Sequence, residues 1–164
     1  MCPDSRTVYC IDTSILIDLH RHYPRDIFGR LWSNLEALVR EDRAIAPKQV
    51  REELKAWDDS LYQWAVRQRR MFRGLGADQV PRVAAVLAAF PALAHSDRRT
   101  EAADPFLVAL ALAEKETSLF GADYCVVTSE ARRPKGQRIP NACEHFGLRC
   151  LSLFEFMKAE GWKF

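Results

Sequence analysis

The stretch Thr7-Val8-Tyr9-Cys10-Ile11-Asp12-Thr13-Ser14 decides the fold. Its first five residues are apolar on both alternating faces. A strand reads that way when helices cover both sides of a parallel sheet, because neither face meets water. The run stops at a charge, and Ile15-Leu16-Ile17-Asp18-Leu19 then reads as a short helix. A buried strand feeding directly into a helix is the opening unit of an α/β domain.

The same alternation continues along the chain. Leu31, Leu35, Leu38 and Val39 make one stripe of a helix from about Ile27 to Arg40. Arg43-Ala44-Ile45-Ala46 is a short strand ended by Pro47, and helical spacing resumes at Val50, Leu54 and Trp57. Asp58-Asp59-Ser60 starts a further helix that the pattern carries to Phe72, with Leu61, Trp64, Ala65, Met71 and Phe72 inward. Gly74 and Gly76 punctuate it, and another helix covers Val80 to Phe90. A polar loop runs from His95 to Thr100. Asp104-Pro105 then opens an apolar helix to about Lys115, with Asp104 as N-cap. Cys125-Val126-Val127-Thr128 is a second central strand, followed by the basic loop Arg132 to Arg138. Ala142 to Phe146 suits a helix closed by Gly147, and Leu148 to Leu151 a last strand. Ser152-Leu153-Phe154-Glu155 is a capping box for the final helix. Strands alternating with helices give an α/β fold around a mainly parallel sheet. The expectation is one domain over residues 1–164, with about 55–100 a helical insertion within it.

Composition sets the class. The 164 residues are 48% hydrophobic and 28% charged, the balance of a folded domain rather than a disordered or collagen-like chain. A net charge of +2 does not announce a nucleic-acid binder, so such a role rests on charge placement. No apolar stretch follows Met1-Cys2-Pro3-Asp4-Ser5-Arg6, and the longest apolar run, Phe106 to Ala113, is too short to cross a bilayer. The five cysteines (Cys2, Cys10, Cys125, Cys143, Cys150) are odd in number, and two lie inside strand-like runs. The chain therefore reads as cytoplasmic, with no membrane partner. Cys143-Glu144-His145 alone is a weak zinc signal.

Four carboxylates fall at element ends. Asp12 follows the first strand directly, and Glu130 lies just past Cys125-Val126-Val127-Thr128. Glu53 is in the first turns of the helix after the second strand, and Asp104 starts a long helix. Ligands of an open parallel sheet bind beyond the carboxyl ends of its strands, so all four could face one crevice. Carboxylates brought that close repel, and a divalent cation removes the conflict. All-oxygen ligation favours Mg²⁺ or Mn²⁺ over zinc. Each acid also has a plain structural reading: an N-cap for Asp104, a turn residue for Asp12, helix surface for Glu53, a solvated ion pair for Glu130.

Taken in order, these segments resemble the PIN-domain family over nearly the whole chain. Tyr9-Cys10-Ile11-Asp12-Thr13-Ser14 resembles its first motif. Val50-Arg51-Glu52-Glu53-Leu54 resembles the second and favours Glu53 over Glu52, and Ala103-Asp104-Pro105-Phe106-Leu107 resembles the third. Val126-Val127-Thr128-Ser129-Glu130 resembles the fourth, with Glu where Asp is usual. The tail from Ile139 is similar to a stand-alone bacterial subgroup. The resemblance implies a three-layer α/β/α domain and a metal-dependent endoribonuclease that leaves 5′-phosphate and 3′-hydroxyl ends. It implies Asp12 and Asp104 as the most direct metal ligands, Glu130 supporting through waters, and Glu53 orienting or deprotonating the attacking water. Thr13 and Ser129 would hydrogen-bond the ligating carboxylates. Many small members are toxins of toxin–antitoxin pairs, homodimeric and blocked by a cognate antitoxin.

The basic loop supplies candidate phosphate contacts in Arg132, Arg133, Lys135 and Arg138, against the plain reading of a solvated loop. Arg67, Arg69, Arg70 and Arg73 read as surface, and Trp57 and Trp64 as core or interface rather than base-stacking platforms. A PIN-like module that binds protein or RNA without cutting keeps the fold and loses the chemistry. A receiver-type domain is excluded because Asp12 has no adjacent acid and no suitable lysine follows Leu151. A haloacid-dehalogenase-type phosphatase fails because Ser14 stands where a second Asp is needed.

Overall fold

The computed structural model describes residues 7–94 and 102–164. Five strands form one sheet: β1 (Thr7–Ile11), β2 (Ala44–Pro47), β3 (Phe72–Arg73), β4 (Asp123–Val127) and β5 (Arg149–Leu151). Their order is β3-β2-β1-β4-β5, and every neighbouring pair is parallel. In register, Tyr9 stands opposite Cys125 on one side and Ala44 on the other.

Alternation along the strands sorts the core into two halves. Tyr9, Ile11, Ala46, Cys125 and Val127 face one layer. That layer holds α1 (Thr13–His22), α2 (Gly29–Arg40), α3 (Lys48–Trp57), α4 (Asp59–Arg67) and α8 (Leu153–Ala159). The residues between them, Cys10, Ile45 and Val126, face the opposite layer, built on α5 (Val80–Ala89), α6 (Asp104–Thr117) and α7 (Ile139–Phe146). The domain is thus a three-layer α/β/α fold with an all-parallel sheet. Full burial of a side chain such as Leu16, Leu54 or Phe156 is worth about 2 kcal/mol, so each layer is held chiefly by its apolar stripe.

Local signals end the elements as their chemistry requires. Gly147, at φ 70°, takes the left-handed position that closes α7. Ser152 and Glu155 form the capping box, Ser152 N donating to Glu155 Oε2 at 2.7 Å and Glu155 N to Ser152 Oγ at 3.3 Å. Asp58 caps α4 by accepting from Leu61 N at 2.8 Å. Trp64 is buried, donating to Glu36 Oε1 at 2.9 Å, and Trp57 packs at the margin of the same core.

Several boundaries differ from the sequence reading, among them the start of α7, which is Ile139 rather than Ala142. α1 extends to His22, beyond the expected short helix. The helix expected to reach Phe72 stops at Arg67, and Phe72–Arg73 instead pairs beside Ala46–Pro47 at the sheet edge. The bond from Ala46 N to Met71 O at 2.9 Å fixes that pairing, a tertiary contact that outweighs local helical spacing. The stretch of about 55–100, expected to be a helical insertion, therefore also supplies the sheet's edge strand. Asp104 is the first residue of α6 rather than its cap, which is Ala103. The expected loop from His95 to Thr100 lies outside the described residues. No helix among the described residues is long and apolar enough to cross a membrane.

Candidate functional site

The chain winds outward from β1 through β2 to β3, then returns to place β4 and β5 on the other side of β1. The reversal leaves a crevice between β1 and β4 at their carboxyl ends, where helices cannot cover the sheet from both directions. Asp12 leaves β1 at that point, and its backbone N–H bonds to Val127 O of β4 at 3.0 Å. Two hydroxyls converge on its carboxylate: Ser14 Oγ donates to Asp12 Oδ2 at 2.6 Å, and Thr128 Oγ1 donates to the same oxygen at 2.8 Å. Ser14 Oγ also accepts from Ser129 N at 3.0 Å, and Thr128 Oγ1 from Glu130 N at 3.1 Å. One carboxylate oxygen thus laces the ends of β1 and β4 together.

Asp12 is buried, only 4% exposed. Burial pushes its carboxyl up to about 6, the bonds from Ser14 and Thr128 pull it down, and the charges of Glu130 and Glu53 raise it further. Glu53 and Glu130 are thus each within electrostatic reach of Asp12. Glu53, on the buried face of α3, accepts Ala103 N at 2.9 Å and so ties α3 to the start of α6. Asp104, the next residue, is half-buried at that helix start. Glu130 is half-buried past β4, and its Oε2 accepts Ile139 N at 3.0 Å, the first N–H of α7. The carboxylates of Glu53 and Glu130 are thereby aimed by amides at helix starts, and that of Asp12 by two hydroxyls.

The hydroxyl pattern moves one residue from the sequence expectation. Thr13 Oγ1 is buried with no hydrogen-bond partner, and Ser129 Oγ donates to Asp18 Oδ2. The bonds expected of Thr13 and Ser129 on the named acids are made by Ser14 and Thr128. Both lay inside the quoted motifs. What the sequence could not give is which hydroxyl points back at Asp12, since that depends on the turn geometry after each strand.

The basic loop stands beside the crevice. Arg132, Arg133 and Lys135 are exposed, and Arg138 is half-buried at the cap position of α7. Arg132 Nε bonds Glu144 Oε2 at 2.6 Å. The loop is braced from inside, with Gly136 N on Arg133 O at 2.9 Å and Asn141 Nδ2 on the same oxygen at 2.7 Å. A cleft of about 440 Å³ opens there, lined among others by Thr128, Glu130, Arg132, Glu144, Cys150 and Ser152. The second basic group is engaged elsewhere: Arg70 and Arg73 both pair with Asp42.

The donors named so far, carboxylate oxygens and a buried hydroxyl, Thr13 Oγ1, left without a partner, are of the kind a hard divalent cation takes. The side chains do not close on an ion unaided. Among the described residues no group of three or more His, Cys, Asp or Glu is arranged to hold one. Glu53 and Glu130 each spend an oxygen on a helix start. Ligation through one or two carboxylates with retained waters, the habit of Mg²⁺, is the form that fits.

The chain belongs to the family described as a domain of unknown function (DUF4411), whose model matches residues 9–164. No curated protein and no solved structure matches it.

Proposed function

We propose that this chain is a PIN-like, Mg²⁺- or Mn²⁺-dependent endoribonuclease working at the β1–β4 crevice. The observation that supports this most is the buried Asp12 at the switch point of a parallel sheet, with the charges of Glu130 and Glu53 both acting on it. Asp12 and Asp104 would hold the ion most directly, with Glu130 joined to it through waters. When bound, the ion supplies a more acidic water and charge neutralisation on the phosphoryl oxygens.

The chain's own residues do the rest. Ser14 and Thr128 fix the Asp12 carboxylate by two bonds to Oδ2, so that Oδ1 would be the oxygen offered to the ion. Glu53 is locked by Ala103 N through Oε1, so its second oxygen is the one that takes a proton from, or orients, the attacking water. Arg132, Arg133, Lys135 and Arg138 stand where flanking phosphates would lie. On this reading the chain works as a cytoplasmic homodimeric toxin held inactive by a cognate antitoxin.

The test is cleavage of mixed RNA and DNA with Mg²⁺, Mn²⁺ or EDTA. Activity on RNA should vanish in EDTA, return with either ion, leave 5′-phosphate ends and be absent in Asp12→Asn. Full activity in chelator would rule the mechanism out, and preference for DNA would change the substrate.

A second reading, a PIN-like module that binds protein or RNA without cutting, is favoured by one observation. The Glu in the fourth position spends one carboxylate oxygen on capping α7. Metal-independent RNA binding without cleavage by the wild type would select it.

A further inference from the structure

The four cysteines among the described residues fall into two kinds. Cys10 and Cys125 are strand residues with no exposure, and burial pushes both thiols up, Cys125 to about 12. Such thiols are inert packing. Cys143 and Cys150 are different. Cys143 is buried on the inner face of α7, and Cys150 on β5 packs against the same apolar cluster. The chain reverses between them at Gly147, and Leu148 N bonds back to Cys143 O at 2.8 Å, which lays β5 over the end of α7. The turn brings the two thiols together, and each is the largest influence on the acidity of the other. Cys150 is only partly buried and lines the 440 Å³ cleft, whereas Cys143 is fully buried.

We propose that Cys143 and Cys150 are a reversible oxidation site, with Cys150 the attacking thiol and Cys143 the resolving one, and a hydroperoxide as the oxidant. In the first step the Cys150 thiolate attacks the peroxide. An S–O bond forms, the O–O bond breaks, and the departing oxygen leaves as water or alcohol after taking a proton. In the second step Cys143, losing its proton, attacks the Cys150 sulfenic sulfur. The S–S bond forms, the S–O bond breaks, and a second water leaves. Two thiols have lost two electrons and two protons, and the peroxide has gained them.

The acidity of the pair supports this order. Contact with the Cys143 thiol holds the Cys150 thiol below its ordinary value, against burial and the charges of Asp12, Glu155 and Glu130. Cys143 is correspondingly pushed up, first by that same contact and then by burial. The bridge would join the second turn of α7 to β5 in the wall of the cleft.

Trypsin makes the pair readable, because cleavage after Arg138, Arg149 and Lys158 puts the two cysteines in separate peptides, 139–149 and 150–158. The full chain carrying Cys2→Ser is titrated with hydrogen peroxide, blocked with iodoacetamide and digested. The expected result is a 139–149/150–158 linked species two hydrogens lighter than its parts. It should form before Cys10 or Cys125 loses reactivity and revert in dithiothreitol. In the further variant Cys143→Ser, dimedone should trap a sulfenic acid at Cys150 at several times the level at Cys10 or Cys125. Earlier oxidation of Cys10 or Cys125 in the folded chain would overturn the proposal. So would passage of Cys150 to the sulfinic acid in the Cys2→Ser chain with no linked species.

Discussion

Asp12 is buried with two other acids nearby, and its energetics follow from that position. Its carboxyl titrates at about 6 when folded against an ordinary value of 3.8, so the folded chain binds its proton more tightly than the unfolded chain does. The associated stability is present below about pH 4 and is lost as pH rises through about 6, on the order of 3 kcal/mol in the metal-free protein. Asparagine keeps an oxygen to accept from Ser14 and Thr128 and removes the charge. In chelator, Asp12→Asn should therefore lack the wild type's loss of stability between pH 4 and 6 and melt no lower at pH 7. Thermal melts of both proteins across that range check this. A variant that melts far below wild type at pH 7 would mean the acids do not repel as described. The sequence showed that an acid ends β1. It could not show that Ser14 and Thr128, rather than Thr13 and Ser129, would bond it, because that choice depends on where two turns aim their hydroxyls.

At the level of the element, α3 separates two adjacent acids. Successive helical residues point about 100° apart, so Glu53 is buried at 7% exposure while Glu52 faces solvent. Glu53→Gln retains an oxygen for Ala103 N and loses only the charge and the basicity. RNA cleavage should fall by orders of magnitude in Glu53→Gln and change little in Glu52→Gln, with melting temperatures close to wild type for both. The opposite ranking in a cleavage assay would move the water-handling role to Glu52. The basic loop is the second element with a measurable role. Its Arg132–Glu144 pair is exposed on both sides and so is weak enough to be exchanged for phosphate. Replacing Arg132 and Arg133 together with alanine should weaken RNA binding evenly across sequences. The plot of log affinity against log salt should flatten by roughly one to one and a half units, at about 0.7 per lost contact. An unchanged slope would return the loop to plain solvated surface. The N-cap Asp58, the closing Gly147 and the capping box were legible from sequence because they depend on neighbours within a turn, whereas the cap of α6 fell one residue before the Asp104 expected. The edge strand Phe72–Arg73 was not, because its pairing partner lies on β2.

Across the whole molecule, the end of α8 is fastened to the opening strands. Glu160 is buried at 8% exposure, and its Oε1 accepts Tyr9 Oη at 2.7 Å and Arg43 Nη2 at 2.5 Å. Burial and that bond push the Tyr9 phenol up, so the hydroxyl stays a donor. Removing the shared acceptor with Glu160→Ala leaves a guanidinium and a phenol without it, at a cost of about 3 kcal/mol. The melting temperature should drop by roughly 6 to 12 °C, whereas the exposed Glu41→Ala should shift it by little. Calorimetry on the two variants decides this, and equal small shifts would show that the latch contributes nothing. The sequence by itself determined the α/β class, the buried parallel strands, most helix limits and the carboxylates at element ends. Those properties are written in residue period, capping chemistry and the abrupt change from apolar to charged, all of which act over a few neighbours. Only the tertiary structure decided the strand order β3-β2-β1-β4-β5, and with it the crevice between β1 and β4. It also decided which acids meet there, the Cys143–Cys150 contact and the Glu160 latch. These join residues far apart in the chain, and packing of the two helical layers, not local preference, sets their distance.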